Sequence, residues 1–307
     1  MDGFRIPLGQ WAEVAVDWIR DNVSWLLGAI STAVGWLVGS LADLLLSAPI
    51  AVVIVVAALL GWFLRSWKFA IGTAISFAII LGVGQWVTAM QTLALVVIAT
   101  VIAVVIAVPL GILAARSERF SAVIKPVLDL MQAMPGFVYL IPAIVFFSIG
   151  FVPGLVATVI FALPPGVRLT ELGIRSVDSE TVEAGHAFGA TPGQILRGVQ
   201  LPLAMPTIMT GVNQVIMLAL SMAVIAGIAG APGLGKEIVQ AMSTVNIGTG
   251  VEAGLSVVIL AIYLDRLTSA LGDMKGQKGS ILGVIGRRRT AAAAATAAEK
   301  RELAPAA

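Results

Sequence analysis

The chain has no cysteine and a single histidine, His186. The first absence excludes disulfides, zinc–thiolate sites and thiol nucleophiles. The second leaves no basis for a histidine-built metal centre. Charge is also scarce. Asp, Glu, Lys and Arg make up 12% of the 307 residues, about half the share of an ordinary soluble domain. The net charge of +2 is too small to imply a nucleic-acid partner. No Walker A pattern and no internal repeat stands out, so an ATPase would have to be a separate chain. What fills the sequence is apolar: 59% of residues are hydrophobic and the mean hydropathy is +1.00. This composition, broken into several long runs, predicts an all-α polytopic membrane bundle.

The first residues carry Asp2, Arg5, Glu13, Asp17, Arg20 and Asp21 before any long apolar run. That order argues against a cleavable signal, which begins basic and turns directly apolar. Residues 8–24 read as a surface amphipathic helix, with Trp11, Ala15, Trp18 and Ile19 on one side and acidic residues on the other. Apolar runs long enough for spans or core helices cover 49–64, 69–87, 91–115, 127–150, 153–170, 204–230 and 251–271. Residues 25–47 have large residues on one face and Gly28, Gly35 and Gly39 on the other. This pattern suits either a packed span or an interfacial helix, and the sequence leaves the two open.

Basic residues are placed rather than abundant. Arg116, Arg119 and Lys125 follow the 91–115 run; Arg168, Arg175 and Arg197 flank or occupy the 170–203 stretch. Arg266, Lys275, Lys278, Arg287, Arg288 and Arg289 mark the end. The intervening loops hold only Lys236. The positive-inside rule puts the 116–126 loop, the 170–203 stretch and the C-terminus in the cytoplasm. Arg65 and Lys68 suit a cytoplasmic hairpin, and the side of the N-terminus stays open. The low-complexity 290–307 segment reads as a frayed or disordered tail.

The stretch "EAGHAFGATPGQILRGVQLP" (183–202) is a mixed segment between apolar runs. Asp178 or Ser179 suits an N-cap, Gly189 a left-handed helix end, and Thr191-Pro192 with Gln194 a second helix start with a capping box. The second helix is expected to stop before Pro202, giving a compact helix-turn-helix elbow seated by Val182, Ala187 and Ile195. From physics alone the elbow is either an ordered connector or a docking element.

Glu183, Ala184, Gly189, Val199, Leu201 and Pro202 stand in the register of the EAA loop of importer-type ABC permeases, which this stretch resembles. Gly185 stands where the pattern usually has a second Ala. "PVLDLMQAMPGFVYLIPAIVFF", "VIFALPPGVRLTELGIR" and "LPLAMPTIMTGVNQVIMLALSMAVIAGIAG" resemble the glycine betaine/proline betaine permeases, over about residues 5–272. The resemblance implies a type I ABC importer transmembrane domain with N-terminal amphipathic and scaffold helices, working as a homodimer in the plasma membrane. It implies two cytoplasmic ABC ATPase subunits, which hold ATP and Mg, an extracytoplasmic substrate-binding protein, and no cofactor on this chain. The division it suggests is 1–48 amphipathic and scaffold segment, 49–87 accessory helices, 88–272 transport core with the coupling loop at 178–202, and 273–307 basic tail. Glu183, Ala184, Gly185 and Gly189 would couple to the ATPase. His186 reads as a partly exposed loop histidine rather than a pH sensor, and Arg197 as an interfacial anchor rather than a specific contact.

The path is less legible. Asn213, Met217 and Ser221 share one helix face and are either pathway residues or helix–helix contacts. Phe137, Tyr139, Phe146 and Phe147 offer rings to a quaternary ammonium, or simply pack. The prolines between 126 and 165 either open a cavity or are ordinary helix irregularities. Asp129 and Lys125 are spaced as a local i,i+4 pair. No acidic residue sits clearly within a span, which disfavours an ion-coupled carrier. The expected cargo is glycine betaine or a relative. The rival readings are an importer of another small solute such as an amino acid, and a secondary carrier.

Overall fold

The computed structural model describes residues 7–272; the expectations for residues 1–6 and for the basic tail lie outside the described residues. Among these residues the chain is helical throughout, with no strand. The elements are α1 (Leu8–Asn22), α2 (Ser24–Ser47), α3 (Ile50–Leu64), α4 (Trp67–Gly82), α5 (Trp86–Arg116), α6 (Glu118–Ala133), α7 (Leu140–Phe147), α8 (Phe151–Arg175), α9 (Ser179–Ala187), α10 (Pro192–Ile195), α11 (Leu201–Ile225), α12 (Leu234–Ser243) and α13 (Ile247–Gly272). α2, α5, α8, α13 and the continuous run Pro192–Ala229 are long and apolar enough to cross a membrane. α3 and α4 have 15 and 16 residues, about 22–24 Å of helix against a hydrocarbon core of about 30 Å.

The run 127–150, expected as one span, is broken. The helix through Glu118–Ala133 and the one through Gly136–Phe147 meet at 105°. The corner is Met134, with φ −77° and ψ 133°. The ring of Pro135 clashes with a helical conformation in the residue before it and drives that residue extended. The helix also starts earlier than the apolar run, because Ser117 Oγ accepts a hydrogen bond from the Phe120 amide at 3.2 Å and caps it.

α8 lies between α5 and α11, and small residues set the spacing. A Cβ on Gly111 would sit 2.5 Å from Thr170 Cβ and 2.7 Å from the Val167 carbonyl oxygen. α5 and α8 therefore touch backbone to backbone, the close approach that small residues permit in membrane bundles. The α3–α4 hairpin is fixed to α13 by aromatic packing. Tyr263 stacks on Phe69 at 6.2 Å and meets Phe77 edge-on at 5.2 Å, while its hydroxyl donates to the Ala57 carbonyl at 3.3 Å. α2 buries Val34, Val38 and Ala42 and leaves Trp25, Trp36 and Leu44 exposed. α1 exposes Trp11, Ala15 and Trp18 of the apolar side expected from the sequence, with Val14 exposed as well and Ile19 half-buried.

The fold brings the basic residues together. Ile112 and Ala115 at the end of α5, Ile174 at the end of α8, Leu196 before α11 and Leu201 at its first residue form one apolar cluster. Gly272 closes on Met209 near the start of α11, and Arg65 Nη1 donates to the Arg266 carbonyl at 3.3 Å. Arg65, Arg116, Arg175, Arg197 and Arg266 therefore share one end of the bundle. At the other end the Leu234 amide donates to Thr92 Oγ1 at 2.8 Å and the Gly150 amide to the Ala229 carbonyl at 3.2 Å.

Candidate coupling elbow

The elbow grows from its caps. Asp178 Oδ1 accepts from the Glu180 amide at 2.9 Å and starts α9. The helix closes with Gly189 N–H to His186 carbonyl at 2.9 Å and Ala190 N–H to Gly185 carbonyl at 3.1 Å. This is the paired closure of a Schellman end, and it requires the left-handed residue, Gly189 at φ 77°. Thr191 then opens α10 with a full capping box: its amide donates to Gln194 Oε1 at 2.8 Å, and its Oγ1 accepts from the Gln194 amide at 3.4 Å.

The second helix does not stop before Pro202. It passes through one wide turn, Leu196–Gln200, in which the Leu201 amide reaches the Leu196 carbonyl, and runs on as α11. Pro202 lacks an amide and its ring would collide with the carbonyl four residues back; a wide i→i+5 turn relieves that crowding without ending the helix. The elbow is thus continuous with α11 on one side and separated from α8 by only three residues on the other.

Seating falls to Ile195 and Leu196, 2% and 8% exposed. Val182 is half-buried and Ala187 exposed, so of the three residues expected to seat the elbow only Ile195 is fully buried. Glu183 and Ala184 are exposed on the outer side, with Gly185 half-buried against Ile195. A Cβ at Gly185 would stand 3.3 Å from Ile195 Cγ1, which gives the departure from Ala at this position a packing reason. His186 is exposed. Phe188 is 91% exposed at the tip; its place between the helices is visible in the sequence, but nothing there signals an unpaired ring. Beside the elbow lies an open cavity of ≈ 680 Å³, lined by Arg116, Thr191, Gly193, Gln194, Leu196, Arg197 and Gly198.

The other sequence candidates are dispersed. Met217 and Ser221 are exposed on α11. Asn213 is tied to α13: its Nδ2 donates to Asp265 Oδ1 at 2.6 Å and its Oδ1 accepts from Thr268 Oγ1 at 2.9 Å. Tyr139 is buried and donates to the Met131 carbonyl at 2.6 Å, whereas Phe137 is exposed. The expected Lys125–Asp129 pair does not form. Asp129 bonds Arg168 and Lys125 turns to Glu171, 3.4 Å away, because α6 lies along α8 and partners across the interface are nearer than partners on the same helix.

A family model described as "Binding-protein-dependent transport system inner membrane component" matches residues 107–273. The glycine betaine/proline betaine transport system permease protein ProW of Escherichia coli (strain K12) is 45% identical over 275 residues, 90% of this chain and 78% of that protein. The glycine betaine transport system permease protein OpuAB of Bacillus subtilis (strain 168) is 45% identical over 276 residues, 90% of this chain and 98% of that protein. Among solved structures, the MetNI methionine ABC transporter in an inward-facing conformation matches with a TM-score of 0.52 and 25% identity, over 60% of this chain and 90% of that one.

The fold is that of a type I ABC importer transmembrane domain, carried by a multi-pass membrane protein. The chain belongs to the family of binding-protein-dependent transport system inner membrane components. It is a transporter subunit and not an enzyme. ATP is hydrolysed by a separate ATPase subunit, and an ATPase and a solute-binding protein are its partners.

Proposed function

We propose that this chain carries glycine betaine, or a related quaternary ammonium or proline-type osmoprotectant, across the membrane as one half of a homodimer. Two ATPase subunits, holding ATP and Mg, sit at the basic end, which is cytoplasmic together with the C-terminus. The binding protein delivers solute at the opposite end. Residues 88–272 form the transport core, 1–48 and 49–87 an N-terminal scaffold, and 273–307 a basic tail. Similarity to betaine permeases along nine-tenths of the chain carries this reading.

In this mechanism the elbow is the point of force transfer. Exposed Glu183 and Ala184, with Gly185 and Gly189, present a short capped helix to the ATPase. The small side chain of exposed Ala184 leaves room for close approach, Gly185 lets α9 sit close on Ile195, and Phe188 offers an apolar hook. When the ATPases close on ATP, α9 is pushed and the bundle changes from inward- to outward-facing, a two-state bias by ligand. Met217 and Ser221, exposed on one face of α11, are the residues assigned to the solute path. Asn213 shares that helix, and its present bonds hold α13.

The test is reconstitution of the chain in liposomes with its ATPase and binding protein. ATP-dependent uptake of labelled glycine betaine, competed by proline betaine and not by methionine, is the expected result. Uptake of methionine or another amino acid in preference would move the cargo. Uptake by this chain alone on an ion gradient would replace the mechanism with a secondary carrier.

A further inference from the structure

Glu171 is the most enclosed charged residue among those described, 4% exposed on α8. One oxygen, Oε1, gathers three partners. Ser121 Oγ donates to it at 2.7 Å, Lys125 Nζ lies 3.4 Å away, and Arg175 Nε lies 3.0 Å away. Arg175 has a second attachment, its Nη2 donating to the Ala114 carbonyl at 2.9 Å in the last turn of α5. Three helix ends meet at this point: α6 through Ser121 and Lys125, α8 through Glu171 and Arg175, and α5 through Ala114. An open cavity of ≈ 390 Å³ lies alongside, lined by Lys125, Asp129, Arg168, Glu171, Leu172 and Arg175.

The position of this node distinguishes it from ordinary packing. Arg175 is the last residue of α8, and the N-cap of α9, Asp178, follows three residues later. Displacement of the elbow reaches α8 through that short link, as it reaches α11 through the continuous helix. α5 and α8 are already locked by the Gly111 contact, but α6 is not: its outer face exposes Val123, Val127 and Leu130, and of its apolar contacts only Leu128 is fully buried, with Ile124 and Met131 partly so. Near the elbow, the ionic group adds to the partly buried Ile124 in tying α6 to α8. A buried carboxylate persists only while its partners are in place, and neutralising it strands the facing cations. Such a node is either made or broken, which suits it to move helix ends as a unit.

We propose that Glu171, with Arg175, is a positioning residue for transport: it makes α5, α6 and α8 move as one body when the elbow is pushed. The inference rests on the coupling role proposed for the elbow.

The experiment compares ATP hydrolysed with betaine taken up in the reconstituted complex of chain, ATPase and binding protein. For Glu171→Gln we expect ATPase activity to persist while the ATP consumed per solute rises about tenfold, the scale on which positions along a coupling route act. The KM for the liganded binding protein should hold. Glu171→Asp, which keeps the charge, should restore most of the ratio. Should Glu171→Gln fail to assemble, Arg175→Lys decides: it keeps a cation but cannot reach Glu171 and Ala114 together, and the ratio should rise likewise. A ratio within about twofold of the parent for these variants, with uptake and hydrolysis falling together, marks a purely structural residue and overturns the inference. A parent complex with no ATP-dependent uptake would instead remove the transport reading, and this one with it.

Discussion

Asn213 separates two uses of a polar residue within an apolar helix, and Asn213→Leu tests them. The side chain makes two bonds to α13, one to the carboxylate of Asp265 and one to the hydroxyl of Thr268. Between neutral groups in a membrane protein such a bond contributes about 0.6 kcal/mol, and a bond to a charged group about 1.5–3 kcal/mol. Asp265 is 31% exposed and also lies 3.7 Å from Arg266, so after the change its carboxylate keeps water and a cation, and the lower figure applies. Thr268 loses little, because its hydroxyl also donates to the Leu264 carbonyl at 2.7 Å. The expected loss is about 2 kcal/mol in stability, or a few degrees in midpoint. Denaturant titration of the purified chain in detergent reads it directly. A double-mutant cycle of Asn213→Leu with Asp265→Leu should return a coupling of about 1 kcal/mol or more. A loss below about 0.5 kcal/mol, joined to a KM for solute raised about tenfold, would refute the reasoning and assign Asn213 to the path.

Two further outcomes follow from backbone geometry. Gly111→Ala puts a methyl 2.5 Å from Thr170 Cβ and 2.7 Å from a carbonyl oxygen; backbone cannot yield cheaply, and a loss of about 1–3 kcal/mol from overpacking should appear as a lower thermal midpoint of the purified chain. Gly189→Ala meets open space but holds φ 77°, so its cost of about 1–2 kcal/mol is local strain. Stability of the bundle should hold while crosslinking of a cysteine placed at Phe188 to the ATPase falls; unchanged crosslinking would count against the Schellman end as the device that presents the tip.

Composition and periodicity carried the helical membrane class, the approximate position of each long helix and the caps of the elbow. These are local properties. An apolar run of sufficient length has few alternatives in lipid, and capping residues act within four positions of themselves. Asp178, Gly189, Thr191 and Gln194 perform in the structure the local roles that their types and spacing suggest. The corner at Met134–Pro135 was also written locally, in a proline that the apolar run obscured.

Tertiary structure decided the rest, because each remaining feature joins residues far apart in the chain. Lys125 has Asp129 four positions away, yet the packing of α6 along α8 gives it Glu171 instead. Asn213 acquires its meaning from Asp265 and Thr268, 52 and 55 positions on. Glu171 stands one turn from the end of α8; burial, and the arrival of Ser121 beside Arg175, make it a junction. Spacing along one chain reports which face of a helix a side chain occupies. Which neighbour meets that face depends on how the helices cross, and here small residues such as Gly111 set the crossing.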